Sequence, residues 1–560
     1  MSKINIIPLG GVQEVGKNLY VIEIDNNSFI VDVGLKYPSS DLRGIDCIIN
    51  DTSYIEANIH RFRAIFLTNA SNTALGGVSF LVKNYRIKVY ASKFTIKVLK
   101  AILLEDGIEN PDELLVEIDA KNPVSYDSVV IRPFEVPYSL PESFGYSFKT
   151  NDGYFIFALD YNFDQNSKIN YSYMYRELAV FAKDGVTALI TSSLGAINVS
   201  SRGTILELSL RIKNIMAGTN GRIIASVNAK DIKWLQNLCD VAIEYNRKIA
   251  IIGRKNQKLI SVAMDMGYLK IPEESFVNLR YITENSSNDI SDLLVIVPGE
   301  RNETFNMLRR MAKGTDRLIH INENDTILLL NKAEIGTERL EAKTLDSLYK
   351  ATSNIKTFNE ALLPDSEANR EEIKQMINIL KPKYLIPVLG EYRHQYSFKN
   401  AAKSLDFKDD MIIIPDNGDV LSFVNGIYRG SKASVTNGEI LIDGKAIDDV
   451  ADVVIKDREV LAQDGLIIIS ANINPRQKQV ICGPEVVTRG FIFIKDNIEV
   501  IETIKQIFND VSKNYLSQKF VNWIDYKNGV KEAVAKYIYK EIKRTPIIVP
   551  VLISVEGYNK

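Results

Sequence analysis

The sequence predicts an α/β protein built of several domains, and three observations carry that prediction. The chain has 560 residues, more than one hydrophobic core normally organises. Its N-terminal part is a series of short apolar runs separated by Gly and Asx turns, which read as strands. From about Gly203 onward, helical and strand patterns alternate, which argues for a parallel sheet with crossover helices.

Taken in order, residues 4–11 read as a strand entering a glycine turn. Strands 19–24 and 29–33 follow across the polar turn Asp25-Asn26-Asn27-Ser28. Asp32 closes the second strand, where a turn-forming acid fits better than a ligand. Residues 64–67 form a buried strand that ends in a polar loop, and a helix is expected from Leu75 to Val82. Strands at 88–90, 128–134 and 154–159 accompany a helix at 95–105. In the alternating region, helices fall at 205–216 and 231–245 and strands at 221–226 and 248–253. A helix at 371–380 and a strand at 383–388 follow. Glycines at 426, 430, 438 and 444 mark a β edge and a connector. Val530, Val534, Tyr537, Ile538 and Ile542 then recur at helical spacing before the strand 547–555.

Composition narrows the function classes. Hydrophobic residues make up 46% and charged residues 25%, as in ordinary globular proteins. A net charge of −2 lacks the basic excess of a free-standing nucleic-acid binder, so any RNA contact rests on a local patch or a partner. The basic helix face of Lys527, Lys531, Lys536, Lys540, Lys543 and Arg544 fits a solvated face better than an RNA contact. Three scattered cysteines fit a reducing compartment. No apolar run reaches membrane-spanning length and the first residues lack a secretory h-region, so the expectation is a cytoplasmic protein without membrane partners. The glycines at 10, 11 and 16 are not a phosphate-binding loop of the Lys-Ser/Thr type. Only three histidines occur (His60, His320, His394), none paired at ligand spacing.

Several motifs carry a resemblance. Pro8-Leu9-Gly10-Gly11, Gly34-Leu35-Lys36-Tyr37-Pro38, Pro387-Val388-Leu389-Gly390-Glu391-Tyr392-Arg393 and the C-terminal series Asp464-Gly465, Gly483-Pro484, Arg489-Gly490-Phe491 closely resemble the ribonuclease J family. That family is the RNA-cleaving β-CASP branch of the metallo-β-lactamase superfamily. The resemblance implies a metallo-β-lactamase αββα sandwich (residues 1–204 and 359–449), an inserted β-CASP α/β domain (205–358), a linker (450–459) and a small C-terminal oligomerisation domain (460–560). It also implies a hydrolytic site with two zinc or manganese ions.

Against that pattern the ligands are missing. Where the family has His-x-His-x-Asp-His, this chain has Asn69, Ser71, Thr73 and Ala74; Tyr138 and Leu389 replace two further ligand histidines. Asp160 retains the bridging carboxylate position, although a capped or strand-end acid fits it as well. The family's His-Val-Ser-Gly-His loop is replaced by Leu363-Pro364-Asp365-Ser366-Glu367, whose acids would repel a phosphate. Asn, Ser and Thr are weak neutral oxygen donors and Ala and Leu donate nothing. The expectation is therefore no metal cofactor, and a pseudo-nuclease of 5′-to-3′ RNA decay and rRNA maturation. It would support an active paralogue in a hetero-oligomer, with a homodimer and RNA as further partners. The alternatives are an active exo- or endoribonuclease using unusual ligands, and a scaffold that binds no RNA.

Overall fold

The computed structural model describes residues 3–555 except 39–41, 43, 128, 164–171, 200–204, 254–256, 279–289, 335, 360, 361, 364–366, 445, 448–451 and 492–497. It divides into two compact units, residues 1–37 with 48–440, and residues 38–47 with 441–560.

In the first unit, the hairpin of strands Leu19–Ile24 and Asn27–Val31 turns at Asp25, whose φ of +54° suits a tight two-residue turn. Alternate side chains of the first strand serve two cores: Leu19 and Val21 face one cluster, Tyr20 and Ile22 another. Both faces are buried, which explains why these strands read as continuous apolar runs. The hairpin lies inside an eight-stranded sheet ordered Ile427–Ser434, Asp419–Val424, Lys3–Gly10, Leu19–Ile24, Asn27–Val31, Phe62–Phe66, Val89–Ala91 and Leu115–Glu117. A six-stranded sheet runs Tyr384–Val388, Val186–Ser192, Gly153–Ala158, Phe144–Thr150, Val129–Glu135 and Val124–Tyr126. Phe29, Phe66, Tyr146, Phe148, Phe155 and Phe157 fill the layer between the two sheets. Helices Val78–Tyr85 and Lys93–Glu105 cover one outer face, and Ser172–Asp184, Arg370–Leu380 and Tyr392–Lys403 the other. The architecture is the αββα sandwich that the resemblance implied.

A third sheet, fully parallel and ordered Lys248–Ile251, Leu293–Gly299, Ile223–Asn228, Thr326–Leu329 and Ile355–Thr357, forms the inserted α/β layer. In the second compact unit, strand Leu466–Asn474 lies between Gln479–Arg489 and Ile547–Ser554, and helices Ile498–Leu516 and Trp523–Ile542 pack on one face.

Two of the expected elements that end differently adjoin the 68–77 loop. Strand 29–33 stops at Val31, because Asp32 takes a φ of +60° that no strand continues. The helix expected from Leu75 to Val82 is two pieces, Asn72–Leu75 and Val78–Tyr85. Gly76 and Gly77 separate them, and the Gly77 N–H leaves the helix to bond the Val33 carbonyl at 2.8 Å. Gly34 lies against the same loop so closely that a Cβ would overlap the Thr73 carbonyl oxygen and approach the Asn18 nitrogen, both backbone atoms that cannot turn aside. Gly34→Ala should therefore displace the 68–77 loop and cost about 3 kcal/mol or more, read by urea unfolding. A loss below about 1 kcal/mol would show that the loop gives way freely.

Candidate functional site

Side chains after the C-terminal ends of parallel strands converge, which is where open α/β sheets place their sites. Asp32 follows Asn27–Val31, and Thr68 and Asn69 follow the parallel strand Phe62–Phe66. From the other sheet come Asp160, Ser193 and Leu389, beyond three mutually parallel strands. The inserted layer adds Lys230 and Glu300, beyond the adjacent parallel strands Ile223–Asn228 and Leu293–Gly299.

Asn69 is fully buried at the centre of a closed hydrogen-bond array. Its Nδ2 donates to Asp160 Oδ2 at 2.8 Å and to Thr68 Oγ1 at 3.1 Å, so both amide protons are used. Its Oδ1 accepts the Ser71 N–H at 2.9 Å. Thr68 in turn donates its N–H to Asp32 Oδ1 at 2.8 Å and its hydroxyl to the same carboxyl at 2.9–3.0 Å. Asp32 is thus more than a turn former: fully buried, it anchors the loop. Burial, with Asp160 nearby, raises its pKa well above the ordinary carboxylate range against the Thr68 hydrogen bonds. Burial also raises Asp160; the Asn69 hydrogen bond and the Lys230 ammonium pull it back only in part.

The remaining predicted positions lie around this array. Ser71 and Thr73 hydrogen-bond each other through their hydroxyls at 2.8 Å. Ala74 is fully buried, and Tyr138, also buried, belongs to the core cluster on the outer face of the eight-stranded sheet. Leu389 packs in the inter-sheet core with a φ of +51°, a conformation that costs a bulky residue about 1–2 kcal/mol. Two backbone groups and one hydroxyl hold it there: its N–H bonds the Gly11 carbonyl at 2.7 Å, and its carbonyl accepts from the Ser193 N–H and hydroxyl. Leu363 is buried and Glu367 partly so, while Pro364, Asp365 and Ser366 lie outside the described residues.

Two side chains were not legible as site members from sequence. The Lys230 Nζ lies 3.4 Å from Glu300 Oε2, and their side chains are 17% and 8% exposed. Burial alone would lower the lysine's pKa; Glu300, Glu334, Tyr37 and Glu367 together hold it above the ordinary value. Burial raises the Glu300 carboxyl despite its lysine partner. The only signal in the sequence was position, since each residue directly follows an apolar run of the alternating region. At the sandwich's opening loop, burial pushes the Glu14 carboxyl up, and Lys17 at 3.1 Å with Lys36 at 2.8 Å outweighs it, leaving the group below its ordinary value.

Three family models match parts of the chain: the ribonuclease J β-CASP domain over residues 220–348, the Zn-dependent metallo-hydrolase RNA specificity domain over 367–415, and the ribonuclease J C-terminal domain over 453–555. Ribonuclease J2 of Bacillus subtilis (strain 168) is 32% identical across 99% of both chains. The chain belongs to the ribonuclease J family. Ribonuclease J 2 of Staphylococcus aureus (strain MRSA252) is also similar, at 30% identity over 98% of each chain. A crystal structure of a protein of unknown function from Enterococcus faecalis V583 shares the fold, with a TM-score of 0.51 at 10% identity, over 75% of this chain and all of that one.

Membership in the ribonuclease J family corrects one expectation. Loss of the ligand histidines suggested that no metal cofactor is involved, yet a matched model is described as Zn-dependent, so metal dependence belongs to the family. The donors at this loop nevertheless do not fit zinc. The Asn69 carbonyl is turned to a backbone N–H, the Ser71 and Thr73 hydroxyls bond each other, and Ala74 and Leu389 offer no donor atom. Among the described residues no three His, Cys, Asp or Glu side chains are grouped to hold an ion.

The raised pKa of Asp32 has a consequence for stability. A carboxyl whose pKa is higher folded than unfolded stabilises the fold below its unfolded pKa, and that contribution is lost as pH rises through the folded pKa. Asp32→Asn keeps an oxygen for the Thr68 N–H and tolerates positive φ, but does not titrate. Its melting temperature relative to the parent should rise as pH goes from about 5 to about 8. A pH-independent difference would show that Asp32 is not held protonated.

Proposed function

We propose that the chain is an RNA-associated ribonuclease J-type subunit with little or no hydrolytic output of its own, acting in 5′-to-3′ RNA decay and rRNA maturation beside an active paralogue. The observation that carries this reading is the Asn69–Asp160 contact: the carboxyl that could orient a reacting group is occupied by a neutral amide in a buried array. Hydrolysis in this superfamily needs an activated water, and no described histidine stands at the array to assist one. The Lys230–Glu300 pair further occupies the approach from the inserted layer with an internal ammonium.

The second reading, an active ribonuclease with unusual ligands, is favoured by the Zn-dependent description of the matched model and by the ribonuclease names of the relatives. An assay separates the two. Full-length chain incubated with 5′-monophosphorylated RNA and zinc, manganese or magnesium should release no more nucleotide than buffer. Asn69→His combined with Ser71→His should not restore cleavage, because Ala74 and Leu389 still cannot ligate and ligands act as a unit. Robust digestion by the parent, abolished in Asp160→Ala, would favour the active enzyme and overturn the present reading.

Partner association is supported by the C-terminal sheet. Its helices cover one face, whereas Val549, Val551 and Ile553 on the strand Ile547–Ser554 are 39%, 37% and 49% exposed. An apolar row of this kind marks an association surface, and a stable interface there would bury about 1,000 Å² or more. Val551→Lys should leave the melting profile close to the parent's and shift the light-scattering mass toward monomer, alone or mixed with an active paralogue. An unchanged mass, or a parent that is monomeric in both settings, removes assembly from the proposal.

A further inference from the structure

A cavity of a different character opens at the other end of the strand that carries the Asn69 loop. Its volume is about 570 Å³, within the range of small-ligand sites. Its wall brings Tyr85, Tyr90 and Tyr126 together with Arg63, Arg86 and Lys88, and among the described residues no carboxylate lines it.

The rings are held in place rather than free to collapse. Tyr90 stacks on Phe66 at 5.2 Å and 25°, and Tyr126 packs against Phe29 at 5.4 Å. The hydroxyls of Tyr90 and Tyr126 bond each other at 2.9 Å, so their polar tips are already partnered, while both rings remain part of the cavity wall. Arg63 is aligned by Nε donating to Asn27 Oδ1 at 2.7 Å. Arg86 bonds Glu113 at 2.8 Å, but this pair is solvent-exposed and weakly held, so the guanidinium can exchange partners. Lys88 is exposed and has no carboxylate partner among the described residues.

We infer that this cavity binds one nucleotide, with the base against the tyrosine rings and the phosphate on Arg63, Arg86 and Lys88. Aromatic surface beside a cation cluster is the pairing that single-stranded nucleic acid recruits: every base has a face to stack, and every phosphate is a bidentate acceptor for arginine. An acidic peptide would satisfy the cations and leave the rings unused. The nucleotide is either free or part of an RNA strand; the RNA arm rests on the RNA-associated reading above, and the free-nucleotide arm does not.

The test uses the full-length chain and two probes. Fluorescein-labelled oligoadenylate is titrated by anisotropy at several salt concentrations, and adenosine monophosphate is followed by saturation-transfer NMR. Arg86→Ala with Lys88→Ala changes only exposed side chains; Lys88→Glu is a second variant with the same expected direction. The double variant should weaken oligoadenylate binding by about tenfold and lower the slope of log K against log salt by about two. It should also lose saturation transfer from protein to the adenine protons. Parent and variants that bind oligoadenylate equally, with equal slopes, would overturn this site and leave the RNA reading standing. A parent that binds no oligoadenylate would remove the RNA reading; adenine transfer that the variants lose then assigns the site to free mononucleotide, and no transfer at all overturns it. Competition by polyglutamate as strong as by unlabelled oligoadenylate would also overturn it, as non-specific charge.

Discussion

The amide of Asn69 is the constraint on which the centre of the sandwich depends. Two buried carboxyls, Asp160 and Asp32, approach one loop from opposite sheets. Left unpartnered, each would carry the desolvation penalty that makes buried acids rare. One amide and one threonine resolve both: Asn69 donates to Asp160 and to Thr68, and Thr68 donates to Asp32. Every donor of the Asn69 side chain is used, and a fully satisfied polar array rigidifies the structure around it. A cation at this point would compete with the amide for the same Asp160 oxygen.

The loops around this array are set by backbone geometry that their side chains would not choose. Leu389 sits in the left-handed region because its N–H is bonded to the opening loop and its carbonyl to Ser193. Glu14 secures that opening loop by accepting from Gly11, Lys17, Lys36 and Asn417. Strain at one residue is thus offset by a dense set of contacts at its neighbours, which is how unfavourable φ values persist. The side chains of the 68–73 loop form a hydrogen-bonded, buried cluster.

Charge compensation differs between the two layers that meet there. On the sandwich side, neutral donors serve the buried carboxyls; on the inserted layer, the Lys230 ammonium faces Glu300 with Glu334 and Glu367 near. Buried acids are thus met by protein donors in both layers. This is the physical sense in which metal dependence of the family and the donor set of this chain diverge.

Much of the architecture was legible in the sequence because apolar periodicity and turn chemistry are local properties. The hairpin at Asp25, the alternation after Gly203 and the helix capped by Asp231 all follow from residues close in the chain. The expectation that Asn69, Ser71, Thr73, Ala74, Tyr138 and Leu389 stand at ligand positions came instead from the family resemblance, not from local patterning. What the sequence could not give was how those residues pair. The Asn69–Asp160 bond spans 91 positions, the anchoring of Thr68 by Asp32 spans 36, and Lys230 meets Glu300 only because their strands are adjacent and parallel. Asp32 reads locally as a turn residue, and only burial between packed layers makes it an anchor, since desolvation is a property of the surrounding fold and not of the residue. Likewise Arg63, Arg86 and Tyr126 are unremarkable in order; sheet pairing and packing alone bring them around one cavity.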